Sequence, residues 1–117
     1  MSNHPVMEFY YFWLKEGITH EHFMKVDRAT AQFLSTRKGF IKCYTTHDPV
    51  KNCWGSVCIF ETHELMAETL KAFEPDGSGA AGQISRDFWD CIETYTVSGF
   101  HFDIRDEQFA PNYKVPN

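Results

Sequence analysis

The stretch Val6-Met7-Glu8-Phe9-Tyr10-Tyr11-Phe12-Trp13-Leu14 carries five aromatic side chains and one charge, Glu8. Aromatic and β-branched residues fit a pleated surface, so the run reads as a strand. Strand side chains alternate between faces. Met7, Phe9, Tyr11 and Trp13 therefore share one side, and Val6, Tyr10, Phe12 and Leu14 the other. Both sides are apolar, which sets this strand apart from the usual antiparallel strand with one wet face.

Working outward, Lys15-Glu16-Gly17 is a turn and Thr19 an N-cap, with Glu21 near the positive end of the helix that follows. Phe23, Val26, Thr30, Phe33 and Leu34 recur at helical spacing, and Lys38-Gly39 predicts the helix end. Phe40 to Thr46 reads as a second strand and Trp54 to Glu61 as a third, joined by turn chemistry at Asp48-Pro49-Val50-Lys51-Asn52. Thr62 caps a second helix that presents Leu65, Met66, Thr69, Leu70 and Phe73. After the small-residue loop Glu74–Gly82, Ser85 is placed to cap a short helix through Phe88, Trp89 and Ile92. Tyr95 to Ile104 is the fourth strand, and residues 105–117 form an extended tail.

The order β-α-β-β-α-β is the ferredoxin-like arrangement of the α+β class, a four-stranded antiparallel sheet with its helices on one face. One domain over residues 1–117, with a core at 6–104, is the expectation for a chain of this length. The third strand repeats the two-sided pattern, Val57 and Ile59 against Trp54, Cys58 and Phe60. With no helix left to cover the second face, another copy of the chain is the economical cover, and a homodimer is expected.

Composition narrows the function classes. Hydrophobic residues at 43% with 11 Phe exclude disorder and fibrous repeats. A net charge of −5 leaves no basic footprint for nucleic acid. No apolar run reaches the roughly 20 residues of a membrane span, and the first residues lack the layout of a signal peptide, so a cytoplasmic location is expected. Cys43, Cys53, Cys58 and Cys91 show no CxxC spacing, and reduced core thiols are the expected state.

The aromatic first strand, Arg28-Ala29-Thr30-Ala31 running into Lys38-Gly39-Phe40, and Ile59-Phe60-Glu61-Thr62-His63-Glu64 together carry a family likeness. The chain resembles the dimeric α+β barrel superfamily, and within it the antibiotic-biosynthesis-monooxygenase-like proteins. The likeness implies two sheets meeting across a dimer and a cavity in each subunit between sheet and helices. It also implies a cofactor-independent monooxygenase, or a related small-molecule enzyme, acting on an aromatic or polyketide-like substrate. The alternatives are a non-catalytic ligand-binding or stress-associated module, and a cyclase or isomerase. Haem-degrading relatives use a first-strand Asn, a second-helix Trp and a His after that helix. None of the three stands at those positions here.

Among candidate site residues, His101 lies mid-strand with Asp103 two residues on and on the same face, the layout of an oriented general base. Tyr10, Tyr11, Tyr44 and Tyr95 are the candidate hydroxyl donors, Tyr11 and Tyr44 foremost. Trp54, Phe60 and Trp89 are candidate cavity walls, and Arg86 a clamp for an anionic group or simply a solvated helix position. No metal site is expected: His20 and His22 lie about 200° apart around a helix, and neither HxxxH nor HExxH occurs. Gly77-Ser78-Gly79-Ala80-Ala81-Gly82 matches GxGxxG, but a helix rather than a strand precedes it, so no dinucleotide is expected. That loop reads as a connector or as a lid at the cavity mouth. No cofactor of any kind is expected.

Overall fold

The computed structural model describes residues 4–114. Four strands, β1 (Val6–Phe12), β2 (Phe40–Asp48), β3 (Cys53–Phe60) and β4 (Ser98–Asp103), form one sheet in the order β2-β3-β1-β4. Every neighbouring pair is antiparallel. Three helices, α1 (His20–Leu34), α2 (His63–Ala72) and α3 (Gln83–Asp90), complete the ferredoxin-like α+β arrangement.

All three helices pack on the face that carries Val6, Phe12, Trp54 and Phe60. Phe12 and Trp54 meet Phe23 of α1, while Phe88 of α3 packs edge-on to Phe12 at 6.0 Å between centroids. A second cluster joins Val6, Cys58 and Phe60 to Leu34 of α1 and Met66 of α2. Hydrophobic burial of these rings is the main favourable term for the fold. Thr19 and Thr62 cap α1 and α2 as their spacing implies, each accepting from a backbone N–H three residues on.

The opposite face is apolar as well. Tyr44, Val57, Phe9 and Phe100 are directly opposed across β2, β3, β1 and β4, forming one continuous row. Tyr44, Phe100 and Phe102 are each half exposed there. This is more apolar surface than a sheet open to water normally carries.

Several element boundaries differ from the sequence reading. α1 ends at Leu34, four residues before Lys38, because the Ser35 and Thr36 hydroxyls donate back to the Gln32 and Phe33 carbonyls. Gly39, at φ 87°, instead serves the turn into β2, where any Cβ would strike Leu65. Gly82, not Ser85, precedes α3; Ser85 is fully buried inside that helix and its hydroxyl donates to the Glu74 carbonyl. Tyr95 falls in a single 3-10 turn, Thr94–Thr96, so β4 begins at Ser98. β1 stops at Phe12, and Leu14 makes only an isolated bridge to Ile92.

The tail is extended only in part. After Asp103 it crosses the open face, where Phe109 lies near Met7, Ile41, Tyr44 and Ile59. It then turns at Pro111–Asn112, stacking Phe109 on Tyr113 at 5.6 Å. The expectation for 115–117 lies outside the described residues. Among the described residues, no helix is long and apolar enough to cross a membrane.

Candidate functional site

Between the helix-covered face of β1 and β4 and the helices α2 and α3 lies a cavity of about 400 Å³. Glu8, Tyr10 and His101 line it from the sheet, and Leu70, Phe73 and Trp89 from the helices. The backbone accounts for this placement. Glu8 and His101 are directly opposed in the β1–β4 ladder, as are Tyr10 and Gly99. Because Gly99 lacks a side chain, β4 lies close against β1 here: a Cβ at Gly99 would strike the Phe9 carbonyl oxygen and the Cα and Cβ of Tyr10. The Trp89 indole N–H donates to the Phe73 carbonyl at 3.3 Å, fixing the helix side of the wall.

Glu8 is only 7% exposed, and burial pushes its carboxyl up to about 7. Removing a carboxylate from water disfavours the charged form, hence the upward direction. The nearest cationic candidate is His101, whose Nε2 lies 3.8 Å from Glu8 Oε2. That is beyond a hydrogen bond but close enough for one bound water or a substrate proton to link them. Tyr10 is held well above the ordinary phenol range, first by burial and then by Glu8. It therefore remains a neutral O–H donor beside a carboxyl that exchanges its proton near neutrality.

The candidates from sequence are distributed across the molecule. His101 lines this cavity. Asp103 lies on the same strand face, but its Oδ1 lies 2.7 Å from His63 Nε2 at the start of α2, so the carboxyl facing His101 across the ladder is Glu8. Tyr11 and Tyr44 are on the opposite face of the sheet, away from His101. Trp54 is 6% exposed, packs between Phe23 and His47 in the core, and does not line this cavity. Phe60 is likewise buried in the second core cluster against Phe40. Arg86 donates to the Asp76 carbonyl at 2.7 Å and holds the loop rather than reaching the cavity. Trp89 is a wall.

Glu8, Leu70 and Phe73 were not among the candidates. For Glu8 a signal existed: it is the one charge in the first strand, on the same side as Val6, Tyr10 and Phe12. The connector Glu74–Gly82 borders the cavity through Glu74 and Pro75. It is pinned by Ala81 N–H to the Ala72 carbonyl, by Ser85 to Glu74 and by Arg86 to Asp76. Among the described residues, no group of three or more His, Cys, Asp or Glu could hold a metal ion.

No family model matches the sequence, and no curated protein matches it. Solved structures do match in fold. SnoaB, a cofactor-independent oxygenase from Streptomyces nogalater, superposes with TM-score 0.64 at 15% identity over 93% of this chain and 99% of its own. A candidate antibiotic biosynthesis monooxygenase from Nitrosomonas europaea gives 0.66 at 13% identity, covering 90% of this chain and 94% of its own. A hydroxynitrile lyase from Passiflora edulis gives 0.62 at 11%, covering 93% and 100%. One architecture thus carries different chemistries. The chain shares with these structures one fold, the ferredoxin-like α+β arrangement with a four-stranded antiparallel sheet.

Proposed function

We propose that this protein is a small-molecule enzyme that uses Glu8 and His101 for proton transfer in an apolar cavity, in a cofactor-independent oxygenation of an electron-rich aromatic substrate. The observation that carries the reading is the buried Glu8, which exchanges its proton near pH 7 and faces His101 in a cavity walled by Leu70, Phe73 and Trp89. A group tuned to the working pH is what general-base catalysis requires. Glu8, with His101 beside it, removes a proton from an activated CH₂ carbon of the substrate. The resulting carbanion adds dioxygen, and the peroxide takes the proton back. Loss of water then leaves a carbonyl at that carbon. The Tyr10 hydroxyl holds the substrate oxygen that carries the negative charge. The cavity walls exclude water from the anion.

The protein acts as a homodimer joined through the open sheet face, the row of Tyr44, Val57, Phe9 and Phe100 being its centre. A reducing compartment, the cytoplasm, is in keeping with its four free thiols. The test is dioxygen uptake with a panel of electron-rich phenols and their CH₂-activated tautomers. Uptake is expected, falling about 100-fold or more in a folded Glu8→Gln variant. A second reading, acid–base chemistry without oxygen, is favoured by the hydroxynitrile lyase sharing the fold. Turnover with no dioxygen consumed would select it. Binding with neither outcome would leave a non-catalytic module.

A further inference from the structure

Along the helix-covered face, one row crosses the whole sheet: Cys43, Cys58, Glu8 and His101, each directly opposed to the next. Its first two members are thiols. The Cys58 S–H donates to Cys43 Sγ, with the sulfurs 2.9 Å apart. The Ser56 hydroxyl lies 3.8 Å from Cys43 Sγ and 3.6 Å from Cys58 Sγ. Directly opposed residues of antiparallel strands have Cα atoms about 4.5 or 5.5 Å apart, and both spacings fall inside the disulfide range. Closing the sulfurs to bonding distance requires a movement of about 0.9 Å, within reach of a side-chain rotation.

We propose that Cys43 and Cys58 form a redox-active dithiol that hydrogen peroxide converts to an intramolecular β2–β3 disulfide. This goes beyond the function proposed above and does not depend on it. Cys43 is half-buried on the edge strand β2 and Cys58 is buried, so Cys43 meets the oxidant first. As the thiolate it attacks one peroxide oxygen; the O–O bond breaks and the departing hydroxide takes a proton to become water. Cys43 is then a sulfenic acid. Cys58 sulfur attacks Cys43 sulfur, the S–O bond breaks, and the Cys58 proton leaves with that hydroxide as a second water. Two thiols have lost two electrons and the peroxide has gained them.

The surroundings divide the labour in this order. The S–H donated by Cys58 lowers the Cys43 thiol below its usual value, and the same contact, with burial, raises Cys58. Cys53 and Cys91 are both raised by burial, so neither competes as a thiolate. Their sulfurs have backbone carbonyls as hydrogen-bond partners, Phe12 and Trp54 for Cys53 and Asp87 for Cys91.

The test treats the full-length protein with a modest excess of hydrogen peroxide and follows free thiols and intact mass. Two of the four thiols should disappear with a loss of two hydrogen atoms, and dithiothreitol should restore both. Peptide mapping without reduction should place the link between Cys43 and Cys58. In a Cys53→Ser, Cys91→Ser background both remaining thiols should be lost together, while a further Cys43→Ser should leave Cys58 unreacted. Should the multiple variant fail to fold, the wild-type peptide map decides alone. Addition of two or three oxygens to Cys43 without a link, a link to Cys53 or Cys91, or a link between chains would each overturn the proposal.

Discussion

Glu8 and His101 face one another across the β1–β4 ladder, the imidazole Nε2 3.8 Å from the carboxyl Oε2, with Glu8 all but sealed from solvent. Burial lifts Glu8 from 4.5 to about 7. Between those values the folded chain holds a proton that the unfolded chain releases. Stability therefore falls as pH rises through that window, and is level above it with respect to this group. The stabilisation present at about pH 4.5 and lost by about pH 7 is on the order of 3 kcal/mol. Glu8→Gln keeps the neutral shape and removes the slope. The variant should gain on the wild type by on the order of 2–3 kcal/mol between pH 5 and pH 8 in urea unfolding. Parallel pH profiles for the two proteins would show that Glu8 keeps an ordinary carboxyl in the folded state.

The open sheet face yields a second prediction. Phe100 is 56% exposed and directly opposed to Phe9 in the apolar row. An interface of two such faces would be large, roughly 2,000 Å² or more in total. Phe100→Asp places an unpaired charge at its centre while changing little in the folded monomer. Sedimentation should move from a dimer to the 13.6 kDa chain with near-UV circular dichroism retained. A wild type that sediments as a monomer at micromolar concentration would remove the dimer altogether.

How much of this was legible in the sequence depends on what each residue's neighbours reveal. Alternation within the first strand placed Glu8 and Tyr11 on opposite sides, but no pattern within one strand says which side the helices cover. Tyr44 was harder. Counting by twos from the core residue Phe40 puts Tyr44 on the core side, whereas the irregularity between Phe40 and Lys42 turns the strand over, so that Cys43 faces Cys58 and Tyr44 faces out. The pairing of His101 with Glu8 comes from register between segments more than 90 residues apart. The His63–Asp103 contact has the same origin, a separation of 40 residues. Local spacing suggested Asp103 as the partner of His101 because only local spacing was available.

The connector beside the cavity is more firmly held than its small residues suggest. Ser85 is fully buried, and its hydroxyl donates to the Glu74 carbonyl. Ser85→Ala leaves that carbonyl without this donor and should cost about 1–2 kcal/mol of stability. The loss should be local. Amide exchange at Gly77 and Ala81, which donate to Glu74 and Ala72, should speed up while β1 and β3 stay protected. Should exchange rise uniformly instead, the hydroxyl supports the whole core rather than the loop.

Gly99 supplies the final prediction. A Cβ there would overlap the Phe9 carbonyl oxygen and the Tyr10 side chain, groups held by the β1 ladder on one side and the cavity wall on the other. Gly55 meets a milder obstacle, the Thr46 hydroxyl at 2.5 Å, which lies at the end of a rotatable side chain. Gly99→Ala should therefore lose about 1–3 kcal/mol, as overpacking against fixed atoms does, and Gly55→Ala distinctly less. Since the clash falls on the Cα and Cβ of Tyr10, which carries a wall of the cavity, Gly99→Ala should also weaken binding of any aromatic ligand there, whereas Gly55→Ala should not. Thermal midpoints of both variants, with binding of one phenol measured on each, check the two parts together. A Gly99→Ala protein at least as stable as Gly55→Ala would mean that β4 moves aside freely, and that Gly99 does not keep the Tyr10 wall in place.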